Sequence, residues 1–267
     1  MGECYIVRRG GSGSSGGTIP EFNYTGTYQL IDDGDRNWRI KLLTSGILTF
    51  TDLGNAKNGV DVFCVGGGGA AGWGWYNGSY GKGACGGFTA TKKGVSVQKD
   101  TAYTCTIGAG GQDSWATGGT TNALNGALTA AGGGKLLGGN GGGAYGNNVP
   151  YDGGSDGGNG ACADGNTSHA GEDAATYPGK GQGTTTREFG ESGGDLYAGG
   201  GGSGTSGSRR SLGGEGGGGA GAWSNGNVVQ EDGAANTGGG GGGCWTGFGT
   251  RAGAGGSGII VIRNHRG

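Results

Sequence analysis

Two adjacent acidic pairs, Glu172/Asp173 and Glu231/Asp232, are among the residues with the types needed for chemistry. Paired carboxylates hydrolyse glycosides when the fold sets them about 5–10 Å apart across a sugar. Both pairs sit in polar loops, and no such separation follows from the sequence. The two histidines, His169 and His265, have no nucleophile and acid at a recognisable spacing; His169 is expected as a solvated loop residue. Gly13-Ser14-Ser15-Gly16-Gly17 matches G-x-S-x-G, but in a Gly/Ser arm with no strand-to-helix elbow. G-x-G-x-x-G matches recur through composition alone, and none opens a helix after a strand. Gly134-Lys135 runs into Leu136, so no phosphate loop is completed. Asp32-Asp33-Gly34-Asp35 lacks the spacing and distal Glu of a calcium loop and is expected as a hairpin turn. Six cysteines without a CxxC pair predict reduced thiols and no metal site. The residues therefore predict no enzyme, no cofactor and no metal.

The positive signal is aromatic. Seven islands, Trp73–Tyr80, Gln112–Trp115, Tyr145–Tyr151, Ala161–Pro178, Ser206–Leu212, Trp223–Asp232 and Cys244–Arg251, combine Trp and Tyr with Asn, Asp and Ser. Such residues supply rigid contact area and adaptable hydrogen bonds in binding loops. Trp73, Trp75, Tyr76, Trp223 and Trp245 are the first candidates for recognition anchors, since aromatics dominate interface hot spots and stack on sugars. Tyr80, Trp115, Tyr145, Tyr151, Tyr177 and Phe248 complete the set. The competing role for each Trp is to cap or fill a small core. Tyr145, Tyr151 and Tyr177, flanked by Asn, Asp and Pro, are expected to be exposed. Arg209 and Arg210 could meet an anionic glycan or form a solvated loop tip.

Positioning these islands falls to glycine. The chain holds 79 glycines in 267 residues but only 3 prolines, so a collagen register is excluded. The runs are Gly66–Gly69, Gly132–Gly134, Gly141–Gly143, Gly199–Gly202, Gly216–Gly219 and Gly238–Gly243. As isolated chain they would be linkers. Packed side by side in the polyproline II conformation, with three residues per turn, they could satisfy each other's backbone groups. Gly66, Gly67, Gly68, Gly132, Gly141, Gly199, Gly216, Gly238 and Gly241 are expected to form such strands. Antiparallel neighbours would put the islands at both ends of the stack.

Strand patterns bracket the glycines: Cys4–Arg8, Tyr24–Ile31, a hairpin of Trp38–Leu43 with Ile47–Thr51, then Val60–Val65. Shorter ones follow at Phe88–Thr91, Val95–Val97, Tyr103–Ile107, Thr120–Leu124 and Leu128–Ala131, with Gly258–Arg263 at the far end. No segment shows a capped helical period. The predicted fold class is all-β: a small β-sandwich-like portion with packed polyproline II glycine strands, no substantial helix. A strand and Gly/Ser arm over 1–18 precedes one domain over 19–267. With 31% hydrophobic residues, backbone pairing must carry much of the order. A net charge of −2 with scattered cations predicts no nucleic-acid partner. Ile259–Ile262 is too short to enter a membrane as a span.

An ordered series of motifs resembles the glycine-rich domain of phage and prophage tail proteins. It runs Val62–Gly69, Gly86-Gly87-Phe88, Tyr103–Gly111, Gly118–Thr121 and Leu128–Gly134, closing on Gly256–Arg263. The resemblance covers roughly residues 46–263. Within that group, tail-fibre-tip adhesins interleave glycine strands with loops that touch a host receptor. It implies an adhesin on the virion, made in the bacterial cytoplasm without a signal peptide. Its expected partners are a bacterial surface glycan or outer protein and other tail-fibre subunits, with the chain a homo-oligomer or attached to an oligomeric fibre. The alternative is a self-assembling fibre, extracellular filament or decoration subunit that binds no receptor.

Overall fold

The computed structural model describes residues 4–8, 19–34, 37–72, 81–144, 149–161, 178–245 and 251–266. Eleven strands are present: β1 (Cys4–Arg8), β2 (Glu21–Tyr24), β3 (Tyr28–Gly34), β4 (Asn37–Leu42), β5 (Gly46–Asp52), β6 (Val60–Val65), β7 (Thr89–Val95), β8 (Ala102–Cys105), β9 (Thr121–Ala123), β10 (Leu128–Ala130) and β11 (Ile259–Asn264). Helix among the described residues is confined to short 3-10 turns at Gly54–Asn58, Glu188–Gly190 and Ser224–Gly226. The protein is thus all-β, and among the described residues no helix is long and apolar enough to cross a membrane.

A six-stranded sheet in the order β1-β3-β4-β11-β6-β7 faces a three-stranded sheet, β2-β5-β8, and the β9-β10 pair. Strict alternation drives this arrangement. Trp38, Ile40 and Leu42 of β4 and Leu48 and Phe50 of β5 are fully buried in one core, while their neighbours in sequence turn outward. The predicted hairpin of these two segments is therefore not formed. β4 pairs with β3 and β11, whereas β5 pairs with β2 and β8. Facing each other across the core, the two strands bury both apolar sets; side-by-side pairing would leave one face uncovered. The predicted Tyr24–Ile31 strand likewise breaks at Thr25-Gly26, where the chain passes from one sheet to the other. β3 and β4 do pair as antiparallel neighbours, with Asp32, Asp33 and Gly34 in β3 and Asp35 outside the described residues.

β6 and β11 are buried on both faces. Val60, Val62, Cys64, Ile260 and Ile262 enter the main core; Phe63, Val65, Ile259 and Val261 enter a second with Phe189 and Tyr197. Continuous apolar runs such as Val60–Val65 are what a doubly covered strand requires.

β6 runs directly into the glycine region, and there the hydrogen bonding changes period. Gly66, Gly69 and Gly72 donate to the carbonyls of Phe88, Cys85 and Lys82; Gly67 and Ala70 donate to Gly119 and Ala116; Gly68 and Ala71 donate to Gly256 and Gly253. Every third residue thus addresses the same neighbour, the polyproline II repeat. Each of these three neighbours is antiparallel, because its partner numbers fall as the donor numbers rise. The carbonyls of Gly67, Gly68 and Gly69 accept in turn from Gly133, Gly111 and Gly241. Segment 66–72 is consequently ringed by six others. Segment 199–204 repeats the pattern, with Gly199 and Gly202 donating to Gly216 and Gly219, Gly200 and Ser203 to Gly154 and Tyr151, and Gly201 and Gly204 to Ala84 and Gly81.

Only glycine permits this spacing. A Cβ on Gly68 would lie 1.9 Å from the Gly239 carbonyl oxygen, and one on Gly132 would lie 1.8 Å from that of Gly118. Gly66, Gly67, Gly141, Gly199 and Gly241 occupy the stack as predicted. Two expected members do not sit within strands. Gly216 (φ +90°) belongs to a turn over 215–217, and Gly238 (φ +70°) closes one over 235–238, both left-handed positions suited to glycine.

Candidate recognition surface

The stack has two distinct ends. At one end the glycine segments meet the β-sandwich: Gly66 pairs with Phe88, Phe88 with Ala131, Gly258 with Gly108 and Gly87 with Gly238. At the other end a second ring of bonds closes: Gly72 with Lys82, Gly81 and Gly204 with Cys244 and Gly81, Thr205 with Ala222, Ala222 with Gly243 and Ala144 with Ala161. These residues flank the aromatic islands. The chain therefore enters and leaves 73–80, 145–148, 206–210, 224–227 and 246–250 at the end away from the sandwich. Trp115 joins them there, its N–H donating to the Ala71 carbonyl. The expectation of two opposed clusters is replaced by one. The opposite returns are made by β-strands, by short polar turns such as Ser155–Gly158 and Glu215–Gly217, and by the 183–198 segment, whose Phe189 and Tyr197 pack into the second core.

Of the candidate anchors, Trp73, Trp75, Tyr76, Tyr80, Tyr145, Tyr177 and Phe248 lie outside the described residues. The four that are described show how the end is built. Trp115, half-buried with φ +64°, lays its indole across Gly72, where a Cβ would meet ring carbon at 1.7 Å. The Lys135 ammonium sits 4.4 Å from the indole centroid, a cation–π contact. Trp223 packs on Gly226, donates its indole N–H to the Gly207 carbonyl (3.0 Å) and pairs through its backbone with Val228. It clamps the 205–208 and 224–228 loops together. Trp245 is half-buried beside Cys244, whose carbonyl accepts from Gly81. Tyr151 is buried, contrary to the exposure expected from its Asn and Pro neighbours. The cause is its backbone: its carbonyl accepts from Ser203 N–H (2.9 Å) and its N–H points at Ser211 Oγ (3.1 Å), so Tyr151 already belongs to the stack.

Ion pairs tie the islands together. Arg209 meets Asp152 through both terminal nitrogens (2.9 and 2.7 Å), and Asp152 also accepts from the Leu212 N–H. Arg210 reaches Glu231 (2.7 Å) and the carbonyls of Val229 and Gly221. Arg251 pairs with Asp232 (2.7 Å), which holds that carboxyl below the ordinary carboxylate range against its partial burial. Exposed pairs of this kind contribute little singly, but each joins residues distant in sequence. Arg209 and Arg210 are thus neutralised within the protein, which removes the basis for their meeting an anionic glycan.

The sequence reading missed Lys135, and it missed three apolar residues that reach solvent on this part of the chain. Val149, Leu212 and Val229 are 52%, 57% and 55% exposed. Val229 follows Val228 in an otherwise polar loop, a signal available in the sequence. Among the described residues no group of three His, Cys, Asp or Glu side chains could hold a metal ion. Cys64, Cys85 and Cys105 are free and buried, and Cys244 is buried.

Comparison with curated proteins returns no match. A family model described as a glycine-rich domain matches residues 44–265, spanning the sandwich from β5 onward and the entire stack. With that much of its length matched, the chain belongs to the glycine-rich domain family.

Proposed function

We propose that the chain is a tail-fibre or tail-tip adhesin of a bacterial virus, recognising a host surface glycan or outer protein. One observation carries this reading: the described residues that flank the aromatic islands lie at the same end of a hydrogen-bonded frame. Loops presented together on a rigid scaffold are the common layout of a recognition site. The half-buried indoles of Trp115, Trp223 and Trp245 fix the loop bases, leaving intervening residues to vary without loss of the frame. Binding then needs no catalytic step, and several copies on one virion raise affinity through effective concentration.

The exposed Val149, Leu212 and Val229 favour a second reading, in which the same end contacts neighbouring subunits of a fibre. Exchange of residues 73–80 and 224–229 for Gly/Ser sequences of equal length separates the two. The adhesin reading expects the purified variant to keep its melting temperature and lose binding to host cells. Retained cell binding with failed particle assembly would establish the second reading instead.

A further inference from the structure

The sandwich carries a pocket of about 390 Å³ on the face of the six-stranded sheet turned away from the main core. Its walls combine Arg39, Arg263 and Arg266 with Asp33, Glu188 and Glu191. Two of the three guanidiniums are spent. Arg39 grips Asp33 (2.8 Å) and Glu188 (2.7 Å); Arg263 grips Glu191 (2.6 and 2.9 Å) and Asp61 (3.3 Å) while lying 3.9 Å over the Phe189 ring. The third is not. The Arg266 guanidinium makes no ion pair among the described residues, although Glu191 and Asp33 lie near enough to act on its charge, and its Nε is shielded from solvent with no hydrogen bond. Burial, together with the charges of Arg263 and Arg39, depresses its pKa against the opposing pull of Glu191 and Asp33. A desolvated donor without a partner is costly, and a planar guanidinium fork matches a carboxylate. Asn37 brings a side-chain amide to the same pocket.

We propose that this pocket binds a hexuronate, an acidic monosaccharide whose carboxylate engages Arg266. The three wall carboxylates retain lone pairs that accept sugar hydroxyls, which inorganic phosphate and acetate do not offer in that arrangement. The volume lies within the range of small-ligand sites. The site is on the sandwich, remote in the fold from the far-end loops, and does not depend on how those loops function.

Titration of the full chain with sodium glucuronate, followed by calorimetry, tests this, with glucose, acetate and inorganic phosphate as comparators. Glucuronate is expected to saturate one site and to bind at least about tenfold tighter than each comparator, the scale of a charge-assisted pair. Arg266→Gln should weaken it by about tenfold or more at unchanged melting temperature. Asn37→Asp, which adds a repelling carboxylate to the wall, should weaken it similarly and serves if Arg266→Gln does not fold. Absence of saturable glucuronate binding, equal binding of phosphate or glucose, or unchanged affinity in both variants would overturn the assignment.

Discussion

Lys82 carries an ammonium into the glycine stack at 1% exposure, and its Nζ has no hydrogen-bond partner. Burial pushes the amine down to about 8; the nearby Lys135 charge adds to the shift and Cys85 opposes it. A lysine whose folded pKa lies below its unfolded value of about 10.4 destabilises the fold fully below pH 8. That penalty fades as pH rises, because the unfolded chain then binds the extra proton. Lys82→Met is therefore expected to stabilise by about 3 kcal/mol at neutral pH, at 1.36 kcal/mol per pKa unit. The gap between variant and parent should close as pH rises from 8 to above 10, measured by chemical denaturation. The comparison must be with the parent at each pH. Burial raises the thiols of Cys64, Cys85 and Cys105, and that weakens both proteins at alkaline pH. A gap that stays constant with pH would mean Lys82 is neutral throughout.

At the scale of elements, segment 66–72 shows what replaces a side-chain core. Each turn of three residues sends one hydrogen bond to each of three neighbours, so the frame's cohesion is backbone cohesion. A methyl group has no room. Gly68→Ala places Cβ against the Gly239 carbonyl and is expected to cost at least about 3 kcal/mol, the upper range for overpacking. Gly193→Ala, with nothing within 4 Å of its Cβ, should be neutral or stabilise by up to about 1 kcal/mol. Thermal melts of the two variants decide it; equal effects would show that packing in the stack is loose. The glycine strands were legible because runs such as Gly238–Gly243 have no other ordered use. The turns at Gly216 and Gly238 were not, since a glycine in a left-handed turn and one in an extended strand are the same letter.

Sandwich and stack are continuous at the molecular scale. β6 passes into Gly66 without a break, and Gly258 leads straight into β11, so two adjacent interior strands of the sheet are anchored in both regions. The molecule is expected to unfold in one transition. Amide exchange at Gly68 and Gly201 should then report the same opening free energy as Ile262 in β11. Rapid exchange of the glycine amides beside a protected β11 would divide the molecule into two folding units and remove the rigid base proposed for the far-end loops.

Composition and local pattern alone determined the class: alternation in Trp38–Leu42, the unbroken apolar run Val60–Val65 and glycine runs too regular for linker specify strands and a polyproline II stack. Those are short-range properties, fixed by side-chain period and by the absence of Cβ. Which strands pair, and which end each island occupies, depended on the tertiary structure. β4 and β5 face each other across a core because burial of two apolar faces outweighs the short connection between them. The described flanks of the islands gather at one end because the opposite returns are made by β-strands, short polar turns and the 183–198 segment that packs on the sandwich. Long-range hydrogen bonds between residues far apart in the chain, such as Gly68 with Gly256, decided that placement, and no local pattern encodes them.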